Sequence, residues 1–499
     1  MPAASKAMRF WVNVSLECSR RDHTPAFGSG DQTGPFMTSR ALGMALGALY
    51  DGYITTLGGQ SLLLKTPPPL PALPGSQCME SCANLSAAAA CHEVLIHRYP
   101  KQASSLNEAW AFWTRLFISI LPPDQEPWEL YGRMVGDAIH HLGIKDRNAR
   151  GPGNFVPGGP YTHNVPPEEP DQKFAGSIWG TAKYLLIDEI TDFAEPPGRI
   201  SATSVQPDAH FAADFKKVQV KGALQDRQRT QDEEVIGIYW GYDGPPELGT
   251  PPRLYMQVVL AVLDEIQSRH PDGLSEQDEL LIIAATALAM ADAAIEAWRY
   301  KYSEDHMMWR PVLGIRHGLG NLAPPEPGWR PLGRPDTNRS GVGLTPDFPA
   351  YPSGHATFGA AAFQLLRTFL VHKLDQASFT PEGLDNLAFC FLSDEYNGRN
   401  RDPRGDKEPR PKLPRSYSSL WDAIIDNSVS RVYIGVHWQF DGVTIKGNDP
   451  KGDFGIPSVP IELGRRGGVW LGCQVANQVA LKINIPQAVI NDSKVADPA

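Results

Sequence analysis

One stretch constrains this chain more than any other. Positions 275–301 read SEQDELLIIAATALAMADAAIEAWRYK. Pro271, Asp272 and Gly273 break the chain just before it, and Ser275 opens an S-x-x-D pattern of the capping-box kind. The body is apolar nearly all round. A helix with no polar face is stable only when surrounded by protein, so the pattern predicts a buried central helix. Its longest uncharged run, 280–291, is shorter than the roughly 20 residues a membrane span needs. No span is therefore expected.

Other segments carry apolar residues at helical spacing. The reading predicts helices at 38–64, with Ser39 as cap, and at 82–99, 105–121, 233–242 and 252–269. Further helices are expected at 353–374, 384–392 and 418–436. No run of alternating strands and no internal repeat stands out. The expected class is all-α: two helical bundles packed together, with long Gly/Pro-rich loops. Glycine (46) and proline (45) are both over-represented, and they concentrate at 148–207 and 318–352. The first of these stretches also holds Phe155, Tyr161, Phe174, Trp179 and Tyr184. Linkers rarely carry so many aromatic residues, so it is read as an ordered covering loop. The 499 residues allow several domains. We expect an N-terminal helical part at 1–220 and a C-terminal bundle at 221–499, built as one integrated unit.

Apolar residues at 42% and charged residues at 20% make the chain globular rather than disordered. A net charge of −10 argues against a nucleic-acid partner, which needs a basic face. The N-terminus lacks an uninterrupted apolar core followed by a small-residue cleavage site, so a classical secretion signal is not expected. That leaves the cytoplasm or leaderless export. Cys78, Cys82 and Cys91 lie close in sequence but lack the ligand spacing of a zinc site, and are read as thiols.

The chemistry sits in three short segments: Lys301-YSEDHMMW-Arg310-Pro311, Tyr351-Pro352-Ser353-Gly354-His355, and Ser430-Arg431-VYIGV-His437. Each alone is unremarkable. Together they bring three cations into an acidic chain. Ser353 and Gly354 begin a helix, where a hydroxyl, a free N–H and the positive dipole end make an anion site. Arginine forks match tetrahedral oxyanions. Two histidines supply one group to bind or attack the central atom and one to move protons. The pattern points to phosphate or a phosphate-like oxyanion.

The ordered triple K…RP, PSGH and SRxxxxxH resembles the signature of the vanadium haloperoxidases and their phosphatidic-acid-phosphatase-like relatives. The segments EEVIGIYWGYDGPPELGTPPRLY, FPAYPSGHATFGAAAFQ, SDEYNGRNRD, SRVYIGVHWQFDG and SRALGMALGALYDGY resemble the fungal chloroperoxidases of that family. The resemblance implies vanadate as cofactor, bound through His437, with Lys301, Arg310, Arg431, Ser353 and the Gly354 N–H around its oxygens. It implies His355 as the acid–base residue, and Asp243 as a brace for Arg431. Hydrogen peroxide and a halide would be the substrates and hypohalous acid the product. Trp298 and Phe348 occupy positions where chloroperoxidases carry Trp and Phe, which implies oxidation of bromide and of chloride. An acid phosphatase with a phospho-histidine intermediate, and an oxyanion-binding scaffold without turnover, use the same residues and stay open.

Two spacings demand a structural answer. The family's first motif usually places six residues between Lys and Arg; here eight lie between Lys301 and Arg310. On a continuous helix, residues nine apart point about 180° away from each other. Either the helix ends or bulges near 303–308, or Lys301 leaves the oxyanion and His306 reaches the pocket rim. Likewise, Arg431 and His437 share a site only if the helix stops between them, eased by Gly435.

Overall fold

The chain is described by a computed structural model over residues 3–495, apart from 29, 73–77, 151, 152, 154, 202–203, 226–227, 340–342, 403–407 and 444–464. It begins with α1 (Ala3–Asp22), α2 (Pro35–Thr56), α3 (Met79–Arg98), α4 (Ala103–Leu116), α5 (Glu126–Leu142) and the single turn α6 (Asp146–Ala149). A long irregular stretch follows. The chain then forms α7 (Ala209–Lys221), α8 (Gln231–Tyr239), α9 (Pro251–Arg269) and α10 (Glu276–Lys301). It finishes with α11 (Pro311–His317), α12 (Gly354–Lys373), α13 (Leu420–Tyr433), α14 (Gln439–Gly442), α15 (Gly467–Lys482) and α16 (Gln487–Asp492). The strands are β1 (Arg199–Ser201) with β2 (Ser204–Val205), and β3 (Phe389–Phe391) with β4 (Arg415–Tyr417), each pair antiparallel. The fold is all-α.

The 275–301 reading holds in detail. The Ser275 hydroxyl accepts from the Asp278 N–H, and the Asp278 carboxylate accepts from the Ser275 N–H, closing a capping box. Helix α10 is long and apolar enough to cross a membrane, yet 94% of its most apolar window is buried inside the protein. It is the shared wall of two bundles. On one side it packs against α2, which packs in turn on α3 and α5; on the other it meets α12, which packs on α13 and α15.

Several boundaries differ from expectation. Helix α2 starts at Pro35 after Gly34, so Ser39 is not a cap but an interior residue donating to the Phe36 carbonyl. Residues 57–64 leave the helix, and the Asp51 carboxylate accepts from the Leu62 and Leu63 amides there. The segment expected as a helix at 384–392 instead contains β3, whose Phe389 pairs with Tyr417 on β4. Helices α1, α5, α7 and α15 were not anticipated.

The described residues of the 148–207 stretch form a cover. Two buried carboxylates of α10 hold it: Asp292 accepts from the Leu185, Leu186 and Ile187 amides, and Glu296 from the Tyr184 hydroxyl and the Ile190 amide. Trp179 is fully buried against Phe36. An irregular segment can stay ordered this way because its amides find acceptors in the protein.

Candidate active site

All three motifs converge at one end of the second bundle. Helix α10 stops at Lys301 with Tyr302 as its C-terminal cap, a turn follows, and Arg310 caps the N-terminus of α11. The extended Lys–Arg spacing is therefore taken up by a helix end, and the i+9 geometry of a continuous helix never arises. The third motif is broken in the same way. Helix α13 ends at Tyr433, and Gly435 turns the chain with φ of +75°, a conformation that side chains disfavour. His437 then lies just ahead of α14.

Arg310 ties the motifs together. It is fully buried; its Nε donates to the Phe348 carbonyl at 2.8 Å, and its Nη1 donates to the Val436 carbonyl and to His437 Nε2, both at 2.9 Å. The other ring nitrogen, His437 Nδ1, is 2.8 Å from Asp441 Oδ2. Asp441 also accepts from the Trp438 amide, and its carbonyl accepts from the Ser353 amide at 2.7 Å. Burial, with Arg310 and Lys301 next in effect, holds the His437 imidazole far below its usual range, so the ring is neutral. Burial raises the Asp441 carboxyl to about 8 in spite of Lys301 and Arg310.

Lys301 is fully buried and donates to the carbonyls of Pro349 (2.7 Å), Ala350 (3.2 Å) and Pro352 (2.5 Å). These bonds use all three of its protons. It therefore contributes charge to the site and holds the 349–352 segment in place. Ser353 is the N-terminal cap of α12, accepting from the Ala356 amide, and Gly354 is the first residue of that helix.

The second histidine is on the same helix. His355 Nε2 is 2.8 Å from the Gly241 carbonyl, which only accepts, so Nε2 carries the proton and Nδ1 the lone pair. Burial and then Arg431 push the His355 pKa down to about 3. Arg431 Nη2 donates to both oxygens of Asp243, at 2.9 and 2.7 Å. Burial alone would raise the Asp243 carboxyl, but Arg431, through its charge and its hydrogen bonds, outweighs it and holds it low. Asp243 Oδ1 also lies 4.0 Å from His355 Nε2, so one carboxylate serves both residues.

A cavity of about 290 Å³ opens onto His437, His355, Gly354, Trp298 and Phe348. The Trp298 and Phe348 rings are 4.9 Å apart at 55°. Phe348 also lies 5.1 Å from the Lys301 ammonium and 5.0 Å from the Arg310 guanidinium carbon. The covering loop seals this wall: the Ala175 carbonyl accepts from Trp298 Nε1, and the Ala175 amide donates to the Asp347 carbonyl.

Behind the cavity three N–H donor nitrogens of two guanidinium groups remain available. Arg310 Nη2, Arg431 Nε and Arg431 Nη1 are buried without a hydrogen-bond partner. Buried donors ordinarily find acceptors. Their convergence beside a neutral imidazole, a helix N-terminus and a buried ammonium suits a tetrahedral oxyanion with several acceptor oxygens.

The structure thus brings together Lys301, Arg310, Ser353, Gly354, His355, Arg431, His437, Asp243, Trp298 and Phe348. It does not bring His306 to the pocket rim. The His306 Nε2 is 3.0 Å from the Phe193 carbonyl, and its ring stacks on Phe193, away from the cavity lining. Sequence reasoning overlooked Asp441, although the His-x-x-x-Asp spacing at a helix start could have revealed it. It also overlooked His23 and Arg334, which line the cavity from distant parts of the chain and carry no local signal.

With this geometry in place, the likeness to known proteins becomes informative. Residues 281–446 match the family model for the second helical-bundle domain of vanadium chloroperoxidase. The chain is 29% identical over 493 residues to the vanadium chloroperoxidase of Curvularia inaequalis, covering 88% of this chain and 79% of that protein. Among solved structures, a bacterial vanadium-dependent iodoperoxidase superposes with a TM-score of 0.62 at 20% identity, covering 95% of each chain. The holo form of a bacterial vanadium-dependent chloroperoxidase gives 0.59 at 16% identity, covering 93% of each chain. These two structures share the fold. The chain is thus similar to vanadium-dependent haloperoxidases along most of its length, and its residues 281–446 match the second helical-bundle domain of that family's chloroperoxidase.

Proposed function

We propose that this enzyme binds vanadate in the cage around His437 and uses hydrogen peroxide to oxidise halide to hypohalous acid, taking bromide and also chloride. The observation that carries this reading is the set of three unpartnered, buried guanidinium donors beside the neutral His437 imidazole. When bound, vanadate supplies a Lewis-acid centre that activates peroxide without changing its own oxidation state.

The residues of the chain do the rest. His437 would hold vanadium through the Nε2 lone pair, which Arg310 Nη1 occupies and would give up, while Asp441 at Nδ1 fixes the tautomer and ring orientation. Arg310 Nη2, Arg431 Nε and Nη1, the Ser353 hydroxyl and the Gly354 N–H would receive the oxygens. Lys301 acts through its charge, since carbonyls take its protons. His355 presents the Nδ1 lone pair, and its depressed pKa keeps it a free base to take the proton of hydrogen peroxide. The Trp298–Phe348 wall keeps water from the cage on the cavity side, which strengthens the field of the cations on a weakly nucleophilic halide. The same wall, with the likeness running along most of the chain, favours this reading over an acid phosphatase.

The test is a bromide-dependent peroxidase assay on metal-free protein with and without added vanadate. Activity should require vanadate, and His437→Ala should abolish it. Equal activity in chelator-treated and vanadate-loaded samples would refute the proposal.

A further inference from the structure

The SDEYNGRNRD motif takes no part in the cage, yet it grips the loop that does. Ser393 donates through its hydroxyl to the Tyr239 carbonyl at 2.7 Å, and its amide donates to the Tyr239 hydroxyl. The Asp394 amide donates to the Tyr242 hydroxyl at 2.7 Å. Between these anchors the Glu395 side chain enters the protein and is fully buried. Its Oε2 accepts from Thr337 Oγ1 and from Arg410 Nη1, both at 2.6 Å. Arg410 is fixed in turn by Asp402 at 3.1 Å.

The other oxygen, Oε1, faces the Gly241–Tyr242 backbone, with the Tyr242 amide as its neighbouring donor, and is pressed against Gly241. A Cβ at position 241 would lie 3.0 Å from this oxygen and 2.8 Å from Pro335 Cγ, so only glycine permits the approach. Gly241 is the residue whose carbonyl takes the His355 Nε2 proton, and two residues on, Asp243 braces Arg431. The groups facing the Glu395 carboxylate are Arg410, Thr337, Asp243 and the Gly241–Tyr242 backbone.

We infer that Glu395 is a positioning residue for the acid–base histidine: through Gly241 it sets the placement of the carbonyl that fixes the His355 tautomer. The mechanism gives His355 Nδ1 the lone pair only while Nε2–H has this acceptor. Loosening the 241–243 loop would free the ring to exchange tautomers and withdraw the base. The kinetic consequence rests on the haloperoxidase reading; the tautomer itself does not.

The experiment has two arms. In the first, ¹⁵N-histidine NMR of the vanadate-free protein identifies His355 by its loss in His355→Ala. The wild-type ring should be the Nε2–H tautomer, and Glu395→Gln should shift it toward a mixture while the His437 signals stay in place. An unchanged His355 signal in Glu395→Gln overturns the inference. In the second arm, Glu395→Gln should lower kcat about tenfold, a fraction of what a positioned base supplies. Vanadate Kd should stay within about threefold, and the same substitution in a His355→Ala background should have no further effect. Additive effects of the two substitutions would overturn it. Should Glu395→Gln fail to fold, Thr337→Val removes one donor from the same carboxylate and should move the tautomer in the same direction by less; no movement there counts against the inference. If the wild type showed no vanadate-dependent turnover, the functional proposal would fail while the NMR arm still decided the role of Glu395.

Discussion

Two clusters of buried cations can be set side by side. In the first bundle, Arg40 bonds Asp146 through Nε at 3.0 Å and approaches Asp292 at 3.9 Å, and Arg98 reaches Asp146 at 3.4 Å. Every cation there meets a carboxylate. Of the three cations of the cage in the second bundle, only Arg431 does, through Asp243. Among the described residues no carboxylate pairs with Lys301 or Arg310, which instead donate to carbonyls and to His437. Burying a cation without a counter-ion is expensive, and burial lowers both Arg310, to about 9, and Lys301. The first cluster is balanced and joins α2 to the α6 turn and α10. The second carries an excess of positive charge that an anion would balance. Charge balance, rather than burial or residue type, separates a structural cluster from a binding site.

The comparison can be broken at several points. Arg40→Met leaves Asp146 and Asp292 short of a partner, so it should cost about 3–5 kcal/mol in urea denaturation. The vanadate affinity of the remaining folded protein should be unaltered. A loss below about 1 kcal/mol would mean that the ion cluster of the first bundle is dispensable. Arg310→Met should do the reverse: vanadate Kd should rise about 100-fold, or about 2.8 kcal/mol, while stability falls less than in Arg40→Met, because carbonyls rather than carboxylates lose their donor. Equal destabilisation by both substitutions would erase the distinction.

Phe348→His places a polar ring between the two unbalanced cations. Chloride kcat/KM should fall about tenfold relative to bromide as the wall becomes wet. An unchanged ratio would show that Phe348 only packs.

The smallest effect is the shared one of pH. Burial lowers His355 to about 3 in the site, and His92 and His140 to about 4 in the first bundle. When unfolded each titrates near 6.5, so below that pH the unfolded chain binds more protons than the folded one. The stabilisation is complete above 6.5 and is lost as the pH falls toward 4. Tm should decline across that window, and less steeply in His355→Gln. An identical slope in that variant would place the effect in the first bundle alone.

How much of this was legible in the sequence depended on distance along the chain. The capping box of α10 and its all-round apolar body are local, and both could be read. Helix α5 could not, because Gly132 and Gly136 look like breakers; they are there so that α5 can lie on α3, where a Cβ at 132 would meet Ala89 at 2.7 Å. The strand at 389–391 owes its conformation to Tyr417 and its neighbours, which no local pattern reveals.

Sequence alone determined the all-α class, the buried central helix and the three motifs with their two histidines, because capping, periodicity and residue chemistry act within a few turns. Only the tertiary structure decided that Lys301 spends its protons on the 349–352 carbonyls, that Gly241 orients His355, and that Arg310 joins His437 without a counter-ion. Those outcomes depend on which backbone acceptors and carboxylates come within hydrogen-bond reach, and long-range packing of the two bundles sets that.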